Sequence, residues 1–401
     1  MKRIGILLSV SLLVGGAESA AVVKQIQPQS AASQAGGQAV REAAALSSAR
    51  LQERAELLKT GEAALARLDV TGALDSFERA ALILHAPDTE IALIRSYMQA
   101  GDYRRALAFG AHTAGAHLDE AGGSVLYAWL LHIGGQPALA QRQLAETSAR
   151  MRENLEVRAV LQQLNSGAPI ATSQLLALPT RLAPYGNTKG LPYTARVAGS
   201  AVLLHGGSNA LVPLNLLPRS GKLWLRNGLG QLVKAKTDKR LSALALGVAL
   251  VRLESPLPVA KDLLVAPSDS FPGSAGFAVE YVSLPNVAPA WPILRTGFLG
   301  SATGDSGERL LGIDMPAGAR GGPVFDGVGR LIGLALPGRA GKGDDRLVSA
   351  SQLRKAFGEA MAAEPLTTWN SSVPAGPKRR ASVDSIYEDS LKTSLQVITA
   401  P

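Results

Sequence analysis

Chemistry at neutral pH needs a nucleophile, an acid–base group or a set of metal ligands, and this chain carries few of them. None of its 401 residues is cysteine, which excludes disulfides, thiol catalysis and thiolate metal sites. The histidines are His85, His112, His117, His132 and His205. His112 and His117 stand five apart, not at the i, i+4 spacing that sets two ligands on one helical face. They are read as surface or helix-packing residues, and no metal or cofactor is expected. The string Gly304-Asp305-Ser306-Gly307 offers a serine, but Asp-Ser-Gly is ordinary turn composition. His205, the one histidine of the C-terminal half, sits in a Gly-Gly-Ser turn. The net charge of +9 is scattered. Its one dense run, Lys378-Arg379-Arg380, reads as a solvated linker. Without a zinc finger or aromatic–basic interleaving, nucleic-acid binding is not expected.

Two unlike halves must position these residues. From Val40 to Leu164 the chain is rich in Ala, Leu, Arg, Glu and Gln, with apolar residues at helical spacing. Breaks fall at Gly72, Gly101 and Gly134-Gly135, and Pro87 and Pro137 stand at helix starts, where a missing N–H costs nothing. Gly61, Ala73, Phe77 and Ala80 have the offsets of small and large residues that let antiparallel helices pack closely. Ala73, Ala106 and Ala140 follow one another at intervals of 33 and 34 residues. The pattern resembles the tetratricopeptide repeat over about three units, from near Leu57 to near Met151. The resemblance implies a stack of helix pairs over 38–164 with a concave surface that holds a protein or peptide partner. A linker is expected over 165–190, from Asn165-Ser166-Gly167-Ala168-Pro169 to Pro184-Tyr185-Gly186-Asn187.

Over 191–360 short apolar runs alternate with Gly, Pro, Ser and Asp, which predicts an all-β sandwich or barrel. The runs are Ser200–Leu204, Lys222–Leu225, Leu232–Thr237, Gly247–Leu253, Gly276–Val282, Ile293–Leu299, Gly322–Phe325 and Arg330–Leu336. Five motifs occur in order: Gly199-Ser200-Ala201-Val202-Leu203-Leu204, Ala210 to Leu217, Gly247-Val248-Ala249-Leu250-Val251-Arg252-Leu253, Ala266 to Gly276, and Gly318-Ala319-Arg320-Gly321-Gly322-Pro323-Val324-Phe325-Asp326. Their order resembles the trypsin-like serine peptidases, most closely the bacterial periplasmic HtrA group. The resemblance implies two packed six-stranded barrels with the active site at their junction.

On that resemblance the catalytic His, Asp and Ser positions are held by Asn215, Gly247 and Arg320. Asn has no basic nitrogen, Gly has no side chain, and Arg is permanently protonated. The mechanism needs a serine, the base that takes its proton and the acid that orients the base. What remains is oxyanion-hole-like backbone at Gly318 and Arg320. Asp314, six residues before Arg320, is a candidate to pair with it across the cleft. The expected function is therefore that of a non-catalytic exported binding or scaffold protein, in envelope assembly or regulation. The alternative is an atypical periplasmic serine endopeptidase using Ser306. On the first reading the barrel should stay folded without residues 38–164.

Two ends complete the outline. Lys2-Arg3, the apolar run Ile4 to Val14 and small residues around Ser19-Ala20-Ala21 read as a signal peptide over 1–21. The run is too short to span a membrane. With a Gram-negative source the location would be the periplasm. The segment 361–401 reads as a linker, then a helix with Val383, Ile386, Tyr387 and Leu391 on one face, then a strand with Leu395 and Val397 on one face. That helix and strand are expected to dock back on the barrel.

Overall fold

The computed structural model describes residues 48–166, 174–218, 220–259, 263–303, 308–315, 320–338, 345–361 and 380–401. The signal-peptide reading of 1–21 lies outside them, as do Ser306 and Gly318. Among the described residues no helix is long and apolar enough to cross a membrane.

The N-terminal half is helical: α1 (Ser48–Ala66), α2 (Val70–Ile83), α3 (Pro87–Ala100), α4 (Tyr103–Ala116), α5 (Ala121–Ile133), α6 (Pro137–Arg150) and α7 (Leu155–Ser166). Asp69 caps α2 by accepting from the Gly72 N–H at 3.0 Å, and Pro87 and Pro137 open α3 and α6. The helices repeat. α3, α5 and α7 start at 87, 121 and 155, and α2, α4 and α6 at 70, 103 and 137, so the period is 33 to 34 residues. Close packing uses small residues. A Cβ on Gly61 would lie 2.5 Å from the Phe77 ring, so only a glycine lets α1 approach α2 this closely.

Two classes of helix follow from burial. In α4 and α6 the buried residues lie on one stripe, for example Ala140, Leu144 and Thr147. In α3 every residue from Thr89 to Gln99 is buried, and α5 is buried throughout except at Tyr127. A helix buried all round is covered on both sides. One cover is the neighbouring helices. The other is made jointly by the strand Ile293–Phe298, which packs on α5, and by the chain's own segment 174–185, a short 3-10 turn (Gln174–Leu176) followed by bends, whose Leu175, Thr180, Leu182 and Ala183 are buried.

The C-terminal half holds two sheets. The first is a closed barrel of β1 (Arg196–Leu203), β13 (Ser394–Ala400), β3 (Lys222–Asn227), β4 (Leu232–Ala243), β5 (Val248–Leu253) and β2 (Asn209–Pro213), in that order. β13 runs antiparallel to both neighbours, with Gln396 opposite Ser200 on one side and Arg226 on the other. All seven of its residues are buried. The buried Arg226 donates from Nε to Gln396 Oε1 at 2.8 Å, which favours this register. Helix α9 (Val383–Thr393) leads into β13 and packs on α4. The expected C-terminal helix and strand are thus present and complete the barrel.

The second sheet has seven strands in the order β7 (Ile293–Phe298), β6 (Ala275–Glu280), β10 (Pro323–Phe325), β11 (Leu331–Leu336), β12 (Arg346–Ser349), β9 (Glu308–Leu310) and β8 (Ala302–Thr303). It corrects the expectation of a second six-stranded closed barrel. The sheet curls until a Cβ on Gly297 would lie 3.0 Å from Gly312 O, but no ladder joins its edges among the described residues. Helix α8 (Ala350–Phe357), capped by Ser349 and Gln352, follows β12.

The helices and the sheets pack against one another. Leu51–Pro401 is one compact unit, and one apolar core joins Phe77, Ile94 and Leu126 of the helices to Leu211, Leu294 and Tyr387. The rings of Tyr103 and Tyr387 meet edge-on, with centroids 4.5 Å apart. Their hydroxyls donate to Leu130 O at 3.0 Å and Pro292 O at 2.8 Å. Glu388 accepts from the Arg104 backbone N–H and guanidinium, the latter at 2.8 Å.

Candidate functional site

Asn215, Gly247 and Arg320 come from three segments that meet around the backbone at Gly199–Ser200 and Pro213. Pro213 ends β2, and the chain turns through Leu214–Leu216. The Leu214 N–H donates to Gly247 O at 2.9 Å, which ties the first two positions together. Asn215 is exposed and lines an open groove with Leu216, Ser283 and Pro401. Gly247 has φ +75°, and a Cβ there would lie 3.0 Å from Arg346 Nη2. That guanidinium donates to Leu246 O at 2.8 Å, so a cation stands beside Gly247.

Arg320 enters through its carbonyl, which accepts from the Ser200 N–H at 2.9 Å. The Gly-Gly pair after it has a steric cause. A Cβ on Gly321, at φ +97°, would lie 2.1 Å from Ser200 O and 2.4 Å from Pro213 Cγ. A Cβ on Gly322 would lie 2.2 Å from Val279 O. Two successive glycines therefore let one turn touch the barrel and the second sheet at once.

The Arg320 side chain forms a two-pronged ion pair with Asp345, at 2.8 Å from Nε and 2.7 Å from Nη2. This corrects the expected pairing with Asp314, which is exposed. The reason is the strand layout. Asp345 directly precedes β12, and its carbonyl is fixed by the Leu311 N–H at 2.9 Å. The Gly321 N–H is bonded to Ala335 O at 2.7 Å, and Ala335 lies opposite Leu347 of β12. Both ends of the pair are thus set by adjacent strands, and both side chains are over four-fifths buried.

Below this turn lies a residue that the sequence reading did not single out. Glu280 ends β6 and is 2% exposed, with the Gly322 backbone N–H beside its carboxylate favouring the charged form. Burial pushes its carboxyl up to about 8, against the pull of the Arg320 charge. At neutral pH it is largely a neutral acid. A signal was available: Glu280 is the single charge in the apolar run Gly276–Val282.

A neutral carboxylic acid and a permanently charged guanidinium can hold a polar group, but neither supplies a nucleophile with a base in contact. His205 lies in the β1–β2 turn, half-buried.

No family model matches the sequence, and no curated protein matches it. Among solved structures, the MamO protease domain from Magnetospirillum magneticum in its apo form is similar at 16% identity and a TM-score of 0.31, over 41% of this chain and 96% of that one. The Rv3671c protease in its inactive form is similar at 12% identity and a TM-score of 0.33, over 42% of this chain and 88% of that one.

Proposed function

We propose that this chain is a non-catalytic binding or scaffold protein of the trypsin-like type, exported from the cell, whose helical layer is of the tetratricopeptide kind. The observation that carries the reading is the Arg320–Asp345 pair. A buried, two-pronged arginine stands at the position where a trypsin-like peptidase needs its nucleophile. Asn215 at the base position and Gly247 at the acid position support it, as does Arg346 beside Gly247.

The helical layer supports a binding role in a form different from an open groove. Its inner face holds segment 174–185 where such a module would take a partner's peptide. The Tyr185 hydroxyl donates to Glu62 Oε2 at 3.0 Å, and its amide donates to Gln99 Oε1 at 3.0 Å. The Arg181 guanidinium lies 4.4 Å from the Tyr185 ring centre. A partner protein therefore reaches this layer on its outer surface or by displacing the segment.

The test is exposure of the full chain to a fluorophosphonate probe, which labels an activated serine, alongside casein hydrolysis. Neither labelling nor cleavage is expected. Labelling that disappears in Ser306→Ala would overturn the reading in favour of a serine endopeptidase.

A further inference from the structure

Three of the five histidines converge on one buried carboxylate in the helical layer, far along the chain from the residues of the cleft. Glu90 lies in the first turn of α3, and its side chain is 4% exposed. His85 stands in the link between α2 and α3, His112 in the last turns of α4, and His117 is the residue that ends α4. Glu90 Oε1 lies 2.5 Å from His85 Nε2 and 3.6 Å from His112 Nε2, and Oε2 lies 3.3 Å from His117 Nε2.

The five-residue spacing of His112 and His117 spoke against a shared helical face. The structure removes that objection, because His117 has left the helix, at φ −119° and ψ 65°. Its ring turns back towards His85, with ring centres 5.3 Å apart. The ligand atoms of His85, Glu90 and His117 all lie within 4.8 Å of one another.

Two further facts distinguish this group from a solvated ion pair. Glu90 Oε2 and His117 Nε2 are both buried, and neither has a hydrogen-bond partner, although they face each other. Buried polar atoms left in this way are uncommon and call for an explanation. A cation between them satisfies both. Ligands of a tetrahedral zinc at ~2.0–2.1 Å stand about 3.3 Å from one another, which matches the 3.3 Å between Glu90 Oε2 and His117 Nε2, while the exposed His85, at 2.5 Å from Glu90 Oε1, has to draw back by less than an ångström. Imidazole with carboxylate and no thiolate is a borderline donor set that suits zinc among the common divalent ions.

We propose that His85, Glu90 and His117 form a zinc site whose fourth position is open to water, with His112 at its rim. The ion fastens the α2–α3 link to the end of α4 and so locks one helical repeat to the next. This goes beyond the binding role proposed above and does not depend on it.

The test uses the full chain without any histidine tag, stripped with a chelator and then titrated with Zn2+ by calorimetry and by competition with a chromophoric chelator. One equivalent is expected to bind, with a rise in the thermal midpoint as a ligand of the folded state requires. His117→Ala should weaken binding by more than ~100-fold. So should the double variant His85→Ala/His112→Ala, whose side chains are more than half exposed and can be removed without opening the core. No uptake by the parent chain, or uptake that both variants retain, would overturn the proposal and leave a histidine–glutamate ion pair.

Discussion

The helical layer and the first barrel each complete themselves with a segment from elsewhere in the chain, and they do so by different physics. The barrel takes in β13, which fills the place between β1 and β3 with backbone ladders on both sides. The helical layer takes in 174–185, which is held by buried apolar side chains, Thr180, and the bonds of Tyr185 to Glu62 and Gln99. A strand removed from inside a barrel leaves two rows of unpaired N–H and C=O groups. A segment lifted from a groove between helices leaves the helical backbone satisfied and loses only side-chain contacts. The strand is therefore indispensable, whereas the groove filler contributes in graded steps.

The largest effect should come from truncation after Gly376, which removes both α9 and β13. The expected result is loss of the cooperative thermal transition, read by circular dichroism. Persistence of a native-like melt would show that the barrel closes without its borrowed strand. Deletion of 38–164 should also leave no stably folded barrel, contrary to the sequence-based expectation. It uncovers Tyr387 and Leu294, which the helical layer keeps out of water.

Tyr387→Ala tests the joint between the two regions with a single side chain. The ring is fully buried against Tyr103 and bonded to Pro292 O. Its removal should cost about 3–5 kcal/mol in denaturant titrations. A loss under about 1 kcal/mol would mean that the helical and β layers are energetically separate.

Glu280→Gln probes the second sheet, which neither borrowed segment completes. The folded-state pKa is raised to about 8. The stability linked to the neutral acid is therefore full below the unfolded value near 4.5 and is lost as pH rises towards 8 and beyond. The variant should flatten this decline and be more stable than the parent above pH 8, by up to a few kcal/mol. Equal pH profiles for the two chains would show that Glu280 does not titrate between these limits.

The smallest effect is expected from Tyr185→Phe, which deletes only the bond to Glu62 and should cost about 1 kcal/mol. A loss as large as that of Tyr387→Ala would break the contrast between strand and groove filler.

Much of the fold was legible because its signals are local. Pro87 and Pro137 open helices, and the alternation of Leu395 and Val397 marks a strand. The site was legible only in part. The three positions Asn215, Gly247 and Arg320 meet around one stretch of backbone, but the partner of Arg320 is Asp345 and not Asp314. Spacing along the chain favoured Asp314. Strand stacking brings a residue 25 positions away to the guanidinium instead. Glu280 was hidden for a similar reason: a lone acid in an apolar run shows that a charge is there, not whether anything neutralises it.

The amino-acid sequence by itself determined that no thiol chemistry is available, where helices and strands run, and which face of each is apolar. Period 3.6 and period 2 encode those faces directly. Only the tertiary structure decided what covers each face: segment 174–185 on the inner side of α3 and α5, β13 between β1 and β3, and three histidines around Glu90. An apolar or polar face specifies that it must be covered or satisfied, and many segments meet that demand equally well. Which segment does so is fixed by chain geometry and close packing across the whole unit, and neither is written in any local window of the sequence.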